Sequence, residues 1–201
     1  MASLGYLGGT FPAHHVGAWC ESEDMSPVIA LLRAVNVGGR TVKSAQLREV
    51  AESLGHTQVT TYVNSGNIVL VPSGAASAVG PGLTAALVAE LGFDVPVITR
   101  SLAQWDAVVE RLPFPDEASS DPSHLVLYCW DGAPGSTDFD PAPYGRETVA
   151  FAGHETYAYY PDGIGRSKLT LPVLEKATGR SGTARNWNTV LALQRLARER
   201  A

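Results

Sequence analysis

Residues 27–43 read PVIALLRAVNVGGRTVK. An apolar run from Val28 closes on Arg33, and an Asn, a Gly-Gly pair and two further cations follow. This is the pattern of a buried strand that breaks into a glycine-rich turn before a helix, a place where α/β proteins often hold ligands. The rest of the chain has to supply partners for that strand and that turn.

Working outward, residues 44–54 repeat apolar side chains at helical spacing, with Ser44 as a candidate cap and Gly55 as the stop. Residues 58–63 and 67–71 read as two strands joined by Asn64-Ser65-Gly66, and 72–81 as a loop. A helix over 83–91 ends at Gly92, and a strand over 93–99 follows. The order β-α-β-β-α-β is the ferredoxin-like plan. Further on, a Ser101-capped helix runs to Leu112, and LVLYCW lies in a strong strand over 124–130. A Pro/Gly/Asp loop over 131–143 leads to a hairpin about Gly153. Helices over 171–178 and 188–200 close the chain, with a short edge strand at 183–185. The expected fold class is α+β: two ferredoxin-like (α/β-plait) halves with mainly antiparallel sheets. The halves are read as residues 27–100 and 101–201. Residues 1–26 read as an N-terminal extension, expected to be disordered, and Met25 offers an alternative start of translation.

The composition, 45% hydrophobic and 17% charged over 201 residues, is that of a globular chain with a real core. No apolar run approaches the roughly 18–20 residues that cross a bilayer, so no membrane association is expected. Two cysteines, one inside LVLYCW, suggest a buried thiol and a cytoplasmic location. The net charge of −5 argues against a general nucleic-acid binder. Residues 101–165 hold 2 Lys/Arg and 11 Asp/Glu, whereas 166–201 hold 8 and 2, so an anion site should draw on the basic end.

No P-loop, nucleophile elbow or metal-ligand spacing is present, so no cofactor or metal is expected and no catalytic residue is assigned. Three polar clusters remain. The first is Arg33, Asn36, Gly38, Gly39, Arg40 and Lys43, either a plain glycine turn or a nest of N–H groups with cations beside it. The second is Asn64, Ser65, Gly66 and Asn67, by itself a hairpin turn. In the ferredoxin-like plan the third strand lies between the first two, so both turns leave the sheet at one edge. The third cluster comprises Gly163–Thr170, with Arg166, Ser167 and Lys168, and then Arg185, Asn186, Trp187 and Asn188. Asn186 or Asn188 could cap the last helix and Trp187 could be core, yet a guanidinium and two amides at a helix start also suit a phosphate or carboxylate.

These stretches, LLRAVNVGG, YVNSGN, YPDGIGRSKLT and TARNWNT, resemble the bacterial domain-of-unknown-function 1697 family in the same order, over about residues 27–197. Where the family usually has Gly-Ile, this chain has Ala34-Val35. The resemblance implies two α/β-plait halves and no established activity.

Three functions compete. The first is binding of a small phosphorylated or carboxylated ligand by the three clusters together. The second is an enzyme using the same pocket, with Ser65 and Lys168 as the reacting groups. The third is binding of RNA or single-stranded DNA, which the arginines of the last helix would serve, although the sheet aromatics of such binders are missing. The oligomeric state is left open.

Overall fold

Val28–Leu32 forms strand β1, and all five residues are buried. A strand covered on both faces needs apolar side chains at every position, which is why VIALL does not alternate. Val28, Ala30 and Leu32 look outward to helices α1 (Ser44–Ser53) and α2 (Ala76–Leu91), where Leu47, Val50, Leu83 and Leu87 meet them. Ile29 and Leu31 look the other way, into a second core. The computed structural model describes residues 26–33, 42–63 and 66–201. Nearly all of the N-terminal extension therefore lies outside the described residues.

Strands β2 (Thr57–Thr61), β3 (Asn67–Val71) and β4 (Val97–Ser101) complete a sheet of order β2-β3-β1-β4, antiparallel throughout. The third strand stands between the first two, as the ferredoxin-like plan requires. One local expectation is corrected. Residues 76–81 are not loop but the first turns of α2, and Pro81 sits inside the helix. The buried face of Val79, Leu83 and Leu87 holds the segment helical across the proline. Gly80 lets the helix lie close to β4, for a Cβ there would stand 3.2 Å from the Val97 carbonyl oxygen. Gly92, at φ 74°, ends the helix in the left-handed conformation that suits glycine.

The second half repeats the arrangement. Helix α3 (Leu102–Glu110) follows β4 directly and is closed by a capping box of Ser101 and Gln104. A short helix α4 (Pro115–Ser120), which the sequence reading lacks, begins on a proline with Asp116 and Glu117 in its first turn. Strands β5 (Leu125–Trp130), β6 (Thr148–Ala152), β7 (Glu155–Tyr159) and β8 (Gly182–Asn186) form a sheet of order β6-β7-β5-β8, again antiparallel. Helix α5 (Leu171–Thr178) matches α2, and α6 (Trp187–Arg198) matches α3. In the place of α1 the chain has the 131–147 connection, with a single 3-10 turn at Ala142–Tyr144.

β5 copies β1 in being buried at every position. Val126, Tyr128 and Trp130 face outward toward Leu169 and Leu174. Leu125, Leu127 and Cys129 face inward and join Ile29 and Leu31 in one core shared by both sheets, α3 and α6. The Trp105 indole of α3 donates to the Val190 carbonyl of α6 at 3.0 Å, tying the two helices together inside that core. The structure is thus the expected pair of ferredoxin-like halves, joined through a common apolar layer.

Candidate functional site

β8 pairs Arg185 with Leu127, which turns its side chain to the inner face of the second sheet. There the guanidinium crosses into the first half. Nη2 donates to the Leu32 carbonyl at 3.1 Å and to the Gly66 carbonyl at 3.3 Å, and Nε donates to Asn67 Oδ1. Nη1 donates to Thr183 Oγ1 and the Ala184 carbonyl, both at 2.7 Å. Asn67 is fully buried and donates from Nδ2 to the Tyr62 carbonyl at 3.0 Å, across the β2–β3 turn. Leu32 N–H bonds the Gly66 carbonyl at 2.8 Å. One side chain thus pins the end of β1 and the start of β3 side by side, the described flanks of the two polar turns. Asn36, Gly38, Gly39, Asn64 and Ser65 lie outside the described residues. Burial brings the Arg185 guanidinium down to about 10, so it stays charged at neutral pH.

Arg33, just past β1, reaches the second half as well. Its Nη2 meets Glu175 Oε1 at 2.7 Å and its Nε donates to the Gly182 carbonyl at 3.1 Å. Glu175 Oε1 also accepts from Gly182 N–H, so this carboxylate already balances Arg33. Lys43 is exposed at the N-cap position of α1, and its side chain makes no capping bond. In sequence, residues 34–43 and 64–66 carry Arg40 and Lys43 and no Asp or Glu.

At the start of α6 the two asparagines separate. Asn186 Oδ1 accepts from Thr189 N–H at 3.0 Å and is the cap, whereas Asn188 is exposed. Trp187 is buried against Tyr157, ring centroids 6.2 Å apart, in the shared core. The basic end of α6 is largely taken up by the fold: Arg198 pairs with Asp106, and Arg200 donates to Thr60 Oγ1 and the Gln58 carbonyl.

Arg166, Ser167 and Lys168 are not brought to Arg185. They precede Leu169, which packs in the outer core on the other side of the second sheet, and Gly163 lies against His124 at the beginning of β5. Arg166 and Lys168 are exposed, while Ser167 Oγ donates to Glu147 Oε1 and accepts from Leu169 N–H at 2.9 Å. The structure therefore gathers Arg33, Gly66, Asn67 and Arg185 about the end of β1 and sets the Gly163–Lys168 cluster apart.

Two groups of residues escaped the sequence reading. Arg100 of β4 lies opposite Ile29, faces the same inner layer, and ion-pairs with buried Glu155 at 2.7 Å. Arg100, Gln104, Arg111, Gly153 and His154 surround a cavity of about 200 Å³. The other group is His124 with Asp121, whose Nδ1 and Oδ2 stand 2.7 Å apart. The available signal was an Arg ahead of a capping residue, repeated as Arg100-Ser101 and Arg185-Asn186.

A solved structure, the conserved bacterial protein SP0830 from Streptococcus pneumoniae, is similar to this chain with a TM-score of 0.66 at 21% identity, covering 87% of this chain and 99% of its own. A likeness at that identity concerns the fold. None of the functionally curated proteins matches the chain. Among the described residues no helix is long and apolar enough to cross a membrane. The family model described as Protein of unknown function (DUF1697) matches residues 25–157, and the chain belongs to that family.

Proposed function

We propose that the protein binds a small phosphorylated or carboxylated ligand where the turns after β1 and β2 lie together. The observation that carries this reading is Arg185 Nη2 donating at once to the Leu32 and Gly66 carbonyls, which makes neighbours of the flanks of two amide-rich turns. In this reading Arg185 organises the site from beneath. Asn36, Gly38, Gly39, Asn64 and Ser65 provide hydrogen bonds, and Lys43 provides an accessible charge. Arg33 is the reserve cation, held by Glu175 until an anion competes for it. Arg166, Ser167 and Lys168 fall outside this ligand's reach, and Asn186 and Trp187 serve the fold. Cys129, buried as a thiol, fits the cytoplasmic location that forms part of the proposal.

The test is a thermal-shift screen against nucleotides, sugar phosphates, carboxylic acids and short RNA at low salt. A ligand at about 100 times its Kd adds about 2.7 kcal/mol, a shift of several degrees at this size. A small-molecule shift that disappears in Lys43→Ala supports the reading. A shift with RNA alone, fading as salt rises, would replace it with nucleic-acid binding.

A further inference from the structure

The cluster that the structure sets apart has a geometry of its own. His124, Pro161, Asp162, Gly163, Gly165 and Arg166 border a groove of about 510 Å³. Asp121, three residues earlier, engages His124 Nδ1, so the ring turns its other nitrogen, Nε2, toward Gly163. A Cβ on Gly163 would stand 3.3 Å from Nε2, and φ of 84° there favours glycine as well. The bare backbone leaves Nε2 open to the groove. Asp121 is itself fixed: it accepts from Ser123 Oγ at 3.1 Å and from the Tyr159 hydroxyl at 3.2 Å. Partial desolvation would raise its pKa, but the bonds from His124, Ser123 and Tyr159 outweigh this and hold it below the usual carboxylate range. A carboxylate that orients one imidazole nitrogen and so defines the role of the other is a recurrent device of binding and acid–base sites.

Asp162 and Arg166 also line the groove; Arg146 pairs with Asp162, and Glu147 and Glu117 act on Arg146 and Tyr159. That pairing with Arg146 holds the Asp162 carboxyl below the ordinary range. Arg166 lines the groove, is exposed, and has no ion pair among the described residues. Asp121 is paired with His124 and Asp162 with Arg146, so Arg166, whose field Asp162 also feels, is the cation of this group outside an ion pair.

We propose that this groove is a second anion site, in which the His124 imidazolium donates from Nε2 and Arg166 supplies the other cation to one oxyanion of a small phosphorylated or carboxylated molecule. It is lined by none of the residues that hold Arg185 and stands independently of the ligand proposed there. It also absorbs the GIGR segment, Gly163 to Arg166, which the first site leaves unused.

The experiment is a titration of the full chain with inorganic phosphate, followed through the side-chain nitrogen resonances of His124. The expected result is a saturable shift of Nε2, with an affinity about tenfold weaker in Arg166→Ala, the effect of one charge-assisted hydrogen bond. Lys43→Ala, at the other site, leaves the titration unchanged. Arg166 is exposed, so its replacement preserves the fold, which the amide spectrum checks directly. Absence of a saturable Nε2 shift would overturn the proposal. So would an undiminished affinity in Arg166→Ala, or a shift abolished by Lys43→Ala.

Discussion

Arg100 and Arg185 hold equivalent places in the two halves, and each is inserted into the half to which it does not belong. Each is the fourth residue of its sheet's last strand and immediately precedes the cap of the next helix, Ser101 or Asn186. Arg100 Nη2 bonds the carbonyl of Trp130, the last residue of β5, and of His154, while Nε bonds Glu155, the first residue of β7. Arg185 Nη2 bonds the carbonyl of Leu32, the last residue of β1, and of Gly66, while Nε bonds Asn67, the first residue of β3. The halves are thus clasped by a reciprocal exchange of arginines about an internal pseudo-twofold. The clasp differs at one position, where Glu155 stands on one side and Asn67 on the other.

Breaking the charged clasp from one side is expected to cost more than deleting it. Glu155→Leu leaves Arg100 buried without its carboxylate and should lower stability by about 3–5 kcal/mol. The Arg100→Met, Glu155→Leu double variant should lose clearly less than the sum of the two single changes, since neither charge is then stranded. Urea denaturation of the four proteins measures the coupling. Simple additivity would show that the pair does not act as a unit.

At the neutral clasp, Asn67→Ala removes an acceptor of Arg185 and a donor to Tyr62. The expected loss is about 1–3 kcal/mol, the cost of leaving buried polar groups unsatisfied. Denaturant midpoints compared with those of an exposed control such as Asn188→Ala check it.

Gly182 is indispensable for space rather than for a special backbone angle. A Cβ there would lie 2.4 Å from Trp130 Cε3, and both residues are buried in place. Gly182→Ala is expected to destabilise by at least about 1–3 kcal/mol through overpacking. It should also displace the Gly182 carbonyl that Arg33 uses. A thermal midpoint within a degree of the parent would show that the second sheet can shift to accommodate it.

Much of this architecture is legible in the sequence because β1 and β5 are continuous apolar runs and helices α1 and α6 carry clear periodicity. Short or exceptional elements are not. Helix α4 has six residues and no buried side chain, so it has no period to read. Pro81 signals loop, and only packing of Val79 and Leu83 under the first sheet overrides that signal. Arg185 was legible as a candidate because polar residues crowd around it. Arg100, in VITRS, looks like an ordinary strand residue until the Glu155 that it reaches, 55 positions away, is placed beside it. The three-residue spacing of Asp121 and His124 stands in the sequence, but it matches no metal-ligand pattern and by itself marks no site.

Alkaline pH should destabilise the second half through both faces of β5. Burial pushes the Cys129 thiol up to about 12 and the Tyr128 hydroxyl to about 12. In the unfolded chain these groups ionise near about 8.5 and 10. As pH climbs past those values the unfolded state releases protons that the folded state retains, so stability is full below about 8.5 and declines as pH rises toward 12. Urea midpoints from pH 7 to 11 should fall, and less steeply in Cys129→Ala. At pH 8 a thiol reagent should modify Cys129 only as fast as the protein opens. Rapid labelling at Cys129 itself in the folded protein, followed in a Cys20→Ser background, would contradict the burial.

The most direct test of the proposed ligand site is the thermal shift produced by the phosphate and carboxylate panel in the parent, Asn36→Ala and Lys43→Ala. The account requires that at least one class of small anion raise the parent's midpoint by several degrees. Both variants, with parental midpoints in the absence of ligand, should lose most of that rise. No rise with any member of the panel, or a rise undiminished in both variants, would contradict a ligand site at the turns that Arg185 holds together.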